Sequence, residues 1–329
     1  MKSLKTMVKE EIIKEKAKVS IICNAYNHEK YIRDALDGFL MQKTNFAFEI
    51  LIHDDASTDS TADIIREYEA KYPDIVIPIY QAENQYSKGG GITDKFQFPR
   101  VNGDFVAICE GDDYWIDENK LQKQYDAMMA HPECDICTCT AEVRWAKNGE
   151  FSRYSGPELD DGVIPVEEVI KGGGGFVSTA TLFIRTSSLK DLPPFRKVLS
   201  SDYMWQIHGS LRGGMLFLKD AMAVYRFGGD SSYNARIKKD KSILARFHRK
   251  TIDALKQLDI DTNGKYHDVI EDTLITQEMI VYNAERKFKK LLKWKYLKRY
   301  KKKSKALRVI ILAFFPFVSK IWEKIGGSK

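Results

Sequence analysis

The stretch Cys109-Glu110-Gly111-Asp112-Asp113-Tyr114-Trp115 sets three carboxylates within four positions. Carboxylates this close repel one another unless a cation or an array of donors neutralises them. Hard divalent cations, held by oxygen ligands and shared with substrate phosphates, meet that need. A solvated acidic turn would present the same residues, so the rest of the chain has to decide. A second acidic cluster, Asp54-Asp55 with Asp59, follows the apolar run Phe48–His53, and a polar loop, Asn24-Ala25-Tyr26-Asn27-His28, follows Val19–Cys23.

Each loop needs an element to carry it. Phe105-Val106-Ala107-Ile108, directly before the acids, reads as a strand, as do Val19–Cys23, Phe48–His53 and Ile75–Tyr80. Apolar residues at helical spacing (Ile32, Leu36, Phe39, Leu40) predict a helix after the first loop. Ile64, Ile65 and Tyr68 predict another, with Ser57 or Thr58 as its cap. Leu121–Met129 is also helical by period. Strands alternating with helices predict an α/β fold with a parallel sheet and right-handed crossovers. The three loops then meet at the carboxyl ends of the strands, in one crevice. The second half is less regular. Gly172–Gly175 reads as a loop that permits close backbone approach, Phe176–Ile184 as a strand and Tyr203–Leu211 as a helix. Ser242–Leu258 and His267–Leu292 read as helices.

Composition narrows the class. A chain of 329 residues with 43% hydrophobic and 30% charged residues describes a globular protein. No apolar run reaches the ~18 residues that span a bilayer. The polar stretch Met1–Lys18 lacks the apolar core of a signal peptide, which points to the cytoplasm. Cys134, Cys137 and Cys139 lack the second pair that would complete a zinc set, and alternation along a strand explains them better. A GxGxxG fingerprint and a P-loop are both absent.

Taken together, V-S-I-I-C-N-A-Y-N-H-E-K-Y-I, E-I-L-I-H-D-D-A-S-T-D-S-T and G-D-F-V-A-I-C-E-G-D-D-Y-W resemble, in order and spacing, the family 2 glycosyltransferases. The resemblance spans roughly residues 17 to 230 and implies a GT-A fold, a mainly parallel Rossmann-like sheet flanked by helices. It implies a glycosyltransferase domain over 1–240. Its nucleotide-binding half would be about 17–130 and its acceptor half about 131–240, with a helical region over 241–329. Ala25, Tyr26, Asn27, Asp54, Asp55, Lys95, Glu110, Gly111, Asp112 and Arg226 would bind a nucleotide-sugar, a UDP-sugar in the first instance. Asp54 and Asp59 read equally as helix caps, and Tyr26 as packing. Lys88, Lys95 and Arg100 are diphosphate candidates or plain surface charge. Glu110-Gly111-Asp112 stands where the family has D-x-D, with Asp112 and Asp113 as ligands of Mn²⁺ or Mg²⁺ and a longer Glu110 where aspartate is usual.

The resemblance also implies inverting transfer, which needs a base for the acceptor hydroxyl. Asp202, in Ser200-Ser201-Asp202-Tyr203-Met204-Trp205, occupies that place, and an N-cap role is the alternative. Tyr203 and Trp205 would meet a glycan or lipid-linked acceptor, or pack in the core. Phe227, in Tyr225-Arg226-Phe227-Gly228-Gly229-Asp230-Ser231, stands where histidine is common, which leaves Arg226 for a phosphate. Two other classes stand beside this reading. One is a non-catalytic sugar-nucleotide or glycan-binding module. The other is a metal-dependent nucleotidyltransferase, which would release pyrophosphate.

The net charge of +6 hides an asymmetry. From Arg286 onward sixteen Lys and Arg face one acid, Glu323, a net +15, while the remainder carries 36 basic and 45 acidic residues, a net −9. Phe288, Trp294, Tyr296 and Phe314 are interleaved with the lysines, and Val309–Val318 adds a short apolar run broken by Pro316. This pattern suits an interfacial helix on an anionic membrane, the cytoplasmic inner face being the expected one. A solvated basic helix packed on the domain would read the same way. Nucleic acid explains the apolar run poorly.

Overall fold

Apolar runs that are hydrophobic on both faces can only sit inside a sheet covered by helices on both sides. β1 (Val19–Ala25) is such a strand, buried at every position. The computed structural model describes residues 16–229, 233–300 and 302–315. β1 pairs in parallel with β2 (Phe48–Asp54) on one side and β4 (Phe105–Ile108) on the other, and β2 pairs in parallel with β3 (Val76–Tyr80). Helices α1 (Ile32–Leu40) and α2 (Thr61–Lys71) make the crossovers. The chain winds outward from β1 to β3, then returns to the opposite flank of β1 for β4. That reversal opens the crevice between the carboxyl ends of β1 and β4, where ligands bind in open α/β sheets.

β4 continues into β5 (Tyr114–Trp115) and α3 (Lys120–Ala130). β6 (Ile136–Trp145), β7 (Phe151–Ser155) and β8 (Gly162–Ile164) follow, then α4 (Val166–Gly172) and β9 (Phe183–Arg185). α5 (Pro194–Val198), α6 (Asp202–Ser210) and β10 (Met215–Phe227) complete the unit. The sheet order is β3-β2-β1-β4-β9-β6-β10-β5, with β7 on β6 and β8 on β10. The first four strands are parallel as expected, whereas β9, β5, β7 and β8 add antiparallel pairs. The long β10 crosses behind the acidic loop and brings Tyr225 and Arg226 to it.

Two expectations change here. Residues 176–182 are not strand, because Ser178 folds back on itself: its carbonyl accepts the Thr181 amide (3.0 Å) and hydroxyl (2.6 Å). The cap of α2 is neither Ser57 nor Thr58. Asp59 Oδ1 accepts the Thr61 amide at 3.0 Å, and its Oδ2 accepts the Glu29 amide at 3.1 Å. All five cysteines are buried and free; Cys23, Cys137 and Cys139 lie on strands, whereas Cys134 precedes β6 and Cys109 follows β4.

The chain divides into two compact units, 1–230 and 231–329. The second holds α7 (Tyr233–Lys239), α8 (Lys241–Asp261) and α9 (His267–Ala284). Asp240 caps α8 through the Ser242 amide at 2.8 Å. His248 on α8 meets Gln277 on α9 at 2.6 Å. α9 stops at Ala284 rather than running to Leu292, because Arg286 adopts a left-handed conformation (φ 57°) that a helix cannot continue through. A 3₁₀ turn (Phe288–Leu292), α10 (Trp294–Leu297) and α11 (Lys303–Phe314) follow, so the basic aromatic stretch is not one helix. Leu291, Tyr296 and Val309 form a small core with Phe288 against it, which withdraws two of the expected membrane anchors, Phe288 and Tyr296. Trp294 and Phe314 stay exposed at 77% and 64%. Among the described residues no helix is long and apolar enough to cross a membrane. Asp230, Ser231, Pro316, Phe317, Val318 and Glu323 lie outside the described residues.

Candidate active site

The loops after β1 and β2 are stitched together before either can meet a ligand. Asn27 is left-handed (φ 56°), a conformation asparagine tolerates better than most residues. Its Oδ1 accepts the Thr58 amide at 2.8 Å, and its own amide donates to Ser57 Oγ at 3.0 Å. The His28 amide donates to Thr61 Oγ1 at 2.7 Å. This leaves Tyr26 at the rim, 39% exposed, with Ala25 buried below it. Asp55 is fully buried, and its two oxygens accept the amides of Gln85 (2.7 Å) and Tyr86 (2.9 Å). It therefore holds the 85–86 turn in place. Asp54 accepts the Ser57 amide at 3.2 Å, while its Oδ1 is buried with no donor among the described residues.

The acidic loop lies across the first loop, and Gly111 makes that approach possible. Its amide donates to the Asn24 carbonyl at 2.9 Å. A Cβ there would stand 2.9 Å from both His28 Nδ1 and Ile32 Cδ1. The three acids then separate by environment. Asp113 turns inward: Oδ1 accepts the Arg226 amide at 2.8 Å, and burial followed by the Asp112 charge raises its pKa well above the carboxylate range. Glu110 is partly accessible. Burial, then Asp112 and more weakly Asp202, push it up to about 8, although Asn24 Nδ2 donates to it at 3.3 Å. Asp112 is half-buried, and no protein donor meets its carboxylate among the described residues.

Arg226 is committed to the fold of this loop. Nη1 donates to the Asp112 carbonyl at 3.0 Å, the guanidinium pairs with Asp34, and its carbon lies 4.3 Å from the Tyr114 ring and 5.0 Å from Tyr31. It is 12% exposed, so it acts as a clamp on the loop rather than an open phosphate donor. Lys95 is exposed, with Nζ on the Gly90 carbonyl at 3.1 Å. Lys88 pairs with Glu83. Arg100 is not surface charge: it donates to the Ile52 (3.3 Å) and Ile77 (2.6 Å) carbonyls.

Asp202 begins α6, but the cap is its neighbour. Ser201 Oγ accepts the Met204 amide at 3.4 Å. Asp202 Oδ1 takes the Tyr203 amide (2.7 Å) and Oδ2 the Thr179 hydroxyl (3.1 Å), while burial raises its carboxyl above the usual range. Gly174 passes close over it, since a Cβ there would lie 3.8 Å from Asp202 Oδ1. Tyr203 and Trp205 sit in the core instead. Tyr203 is 2% exposed and donates its hydroxyl to the Ile170 carbonyl; Trp205 is 5% exposed and packs on Phe98. Neither ring offers a face to an acceptor, because both lie on the buried side of α6. Phe227 packs on Trp145.

The structure adds residues that the sequence reading did not single out. Asn24 Nδ2 bridges Thr93 (2.9 Å) and Glu110, while its Oδ1 is buried without a donor. Tyr225 has its hydroxyl pushed up to about 12 by burial and by Asp113, Asp112 and Asp202. Arg196, buried beside Trp205, pairs with Asp94 at 3.0 Å and so anchors the segment that carries Thr93 and Lys95. An apolar-flanked asparagine at a strand end was the available signal for Asn24. Nothing local marks Tyr225.

Among the described residues no three His, Cys, Asp or Glu side chains converge as a protein metal shell would. The donors present are oxygens only: the Asp112 carboxylate, Glu110 and the Asn24 Oδ1. Mg²⁺ and Mn²⁺ bound through one or two carboxylates plus substrate phosphates fit such a set.

The acids gather at the switch point of the parallel sheet, and the Asp202 carboxyl at the start of α6 lies close enough to help raise Glu110. Residues 20–192 match glycosyl transferase family 2, and the chain belongs to that family. Its fold is GT-A-like. An uncharacterized protein of Mycobacterium tuberculosis (strain ATCC 25618 / H37Rv) is 36% identical over 214 residues. That match covers 63% of this chain and 58% of the mycobacterial protein, so the chain spans little more than half of that relative. Staphylococcus aureus TarS 1–349 in complex with UDP-GlcNAc superposes with a TM-score of 0.59 at 19% identity, over 90% of this chain and 81% of that one. A mannosyltransferase of Pyrobaculum calidifontis in complex with GDP-Man and Mn²⁺ gives 0.51 at 14% identity, over 92% and 89%. At these identities the two structures establish the fold.

Proposed function

We propose that the protein transfers a sugar from a UDP-sugar to a hydroxyl of a glycan or lipid-linked acceptor, with inversion, using Asp202 as base. The observation that carries this is the division of labour at the start of α6: Ser201 caps the helix, and the adjacent Asp202 carboxyl, held by Tyr203 and Thr179, lies close enough to the acidic loop to raise Glu110. Its raised pKa moves it toward the range in which a base is most effective. The Thr179 hydroxyl and Tyr203 amide orient it. In the reaction the acceptor O–H gives its proton to Asp202. The acceptor oxygen bonds to the anomeric carbon as the bond from that carbon to the diphosphate oxygen breaks, and UDP leaves. Mn²⁺ or Mg²⁺, held by Asp112 with Glu110 and the substrate phosphates, would neutralise the leaving diphosphate. Tyr26 and Asn27 would face the uridine, with Asp55 setting the turn that closes that side. The TarS complex supports a UDP-sugar donor in this reading.

Peripheral attachment to an anionic membrane belongs to the same proposal. α11 leaves Leu307, Ile310 and Phe314 exposed, with Trp294 and Phe315 exposed nearby, inside a stretch of net +15. Apolar side chains flanked by lysines support an interfacial position.

The test is Asp202→Asn. Loss of a general base removes ~10²–10⁴-fold of turnover. UDP release from a UDP-sugar panel with acceptor should fall by at least ~10²-fold, while UDP affinity by calorimetry stays within about twofold. A variant that keeps a tenth of the wild-type turnover would assign the base elsewhere.

A further inference from the structure

We propose that the second unit carries a phosphate-binding pocket, formed where the chain turns back after α9. The left-handed Arg286 ends the helix, and the 3₁₀ turn over Phe288–Leu292 is pinned by Leu291 against the small core of Tyr296 and Val309. This geometry encloses an open cavity of about 320 Å³ lined by Tyr282, Lys289, Lys290, Lys293 and Tyr296.

The charge pattern points to an anion. The basic residues around the cavity have acids of their own: Lys287 pairs with Glu285 at 2.8 Å, Lys295 with Glu278 at 3.0 Å, and Arg299 with Asp272. Tyr296 takes up Glu278 further, donating its hydroxyl at 2.7 Å. The three lysines that line the cavity have no carboxylate partner among the described residues, and Lys290 Nζ only overlies the Tyr282 ring at 5.3 Å. Three lysines around one cavity bring three like charges together, and a ligand with several anionic oxygens relieves all three at once. Lysine serves phosphate as a point charge and needs no bidentate geometry. The two tyrosine rings supply flat, partly apolar walls beside the charge. A phosphate or phosphate ester is therefore the chemistry that fits. Its two sources are free phosphate and the headgroup of a lipid. The pocket adds to the proposed membrane reading without requiring it, and no residue of the candidate donor site takes part.

The experiment uses the full chain and two triple variants of equal charge. Lys289→Gln/Lys290→Gln/Lys293→Gln empties the pocket wall. Lys298→Gln/Lys302→Gln/Lys305→Gln removes three exposed lysines of the same tail that line no part of the cavity. All six side chains are exposed, and thermal unfolding confirms that both variants fold. Binding is read on inorganic phosphate by calorimetry. It is also read by flotation on phosphatidylcholine vesicles carrying either phosphatidic acid or, at matched surface charge, oleate. The pocket variant should lose about tenfold or more on the phosphate probe that wild type binds, and the control variant about twofold at most. Loss on inorganic phosphate identifies free phosphate as the source. Loss confined to phosphatidic acid vesicles, with oleate vesicles bound more weakly by wild type, identifies a headgroup. Equal losses in the two variants, or equal wild-type binding to phosphatidic acid and oleate with no binding of inorganic phosphate, overturn the pocket. Either result leaves the apolar attachment of α11 standing or falling on its own vesicle binding.

Discussion

Glu110→Gln is expected to stabilise the ligand-free protein at alkaline pH and to leave it unchanged near pH 4. Burial, then Asp112, raises the Glu110 carboxyl from 4.5 to about 8 in the folded state. Between those values the folded protein keeps a proton that the unfolded chain has released. Stability from this group is therefore complete below 4.5 and is lost as the pH rises toward 8. At 1.36 kcal/mol per unit, the full span sets a ceiling of about 5 kcal/mol. Glu110 is partly accessible, so solvent screening reduces this to about 1–3 kcal/mol. Glutamine keeps the Oε1 that accepts from Asn24 and removes only the charge. Thermal unfolding in a chelating buffer, from pH 4.5 to 9, tests it. At about 2–4 °C per kcal/mol for a domain of this size, the variant should melt about 3–10 °C above wild type at pH 9. The two curves should converge at the acid end. Asp112→Asn in the same series should shrink the difference, because it removes the second cause of the shift. A difference that stays flat with pH would refute the reasoning, since the Glu110 charge would then be fully solvated in the folded protein.

Asp112→Ala should abolish metal-dependent UDP binding, measured by calorimetry with and without Mn²⁺; equal metal-dependent affinity in variant and wild type would remove it from the site. Gly111→Ala forces a Cβ to within 2.9 Å of His28 Nδ1 and Ile32 Cδ1, and overpacking of this kind costs about 1–3 kcal/mol. It should lower the melting temperature and weaken UDP binding together; an unchanged melting temperature would mean that the two loops part freely. Leu307→Ser/Phe314→Ser should weaken flotation on anionic vesicles at high salt, where the lysine attraction is screened, each side chain being worth roughly 2 kcal/mol when fully buried. Retention of binding in that double variant at high salt would place the apolar contact elsewhere. Point substitutions are the sharper test, because removing the chain from Arg286 onward would strip Leu291, Tyr296 and Val309 from Ile275, Met279 and Tyr282.

The parallel half was legible because its physics is local. Val19–Ala25 is buried throughout, so its composition alone marks a central strand. The three loops were legible because each follows such a strand. What escaped depends on pairings distant in sequence. β10 reaches the acidic loop 113 residues after Asp113, and nothing near Tyr225 announces that its neighbours will be three carboxylates. Trp205 and Tyr203 looked available because a helix start carries them, yet their side of α6 faces the core. Arg226 and Arg100 read as free cations in one dimension; in three they are consumed by Asp34 and by backbone carbonyls. Arg286 broke the predicted long helix by adopting a conformation that residue type does not foretell.

The acids of the crevice also divide by cause. Asp113 is raised by burial, but it is hydrogen-bonded by the Arg226 amide, and Arg226 is in turn fixed by Asp34, Tyr31 and Tyr114. That chain of contacts makes Asp113 a structural acid whose purpose is to hold the loop. Asp112 has no such partner, and Glu110 has only the long Asn24 contact. A buried-side carboxylate with its donors supplied by the protein has little to gain from a cation, whereas one without them has much to gain. Within the proposed donor site the metal would therefore be drawn to Asp112 and Glu110, and Asp113, which the sequence suggested as a ligand, would support them from behind. Asp113→Ala should then leave the metal dependence of UDP binding in place while lowering stability, because alanine cannot accept the Arg226 amide. Calorimetry beside thermal unfolding tests this, and loss of metal-dependent binding in Asp113→Ala at unchanged stability would return that residue to the ligand set.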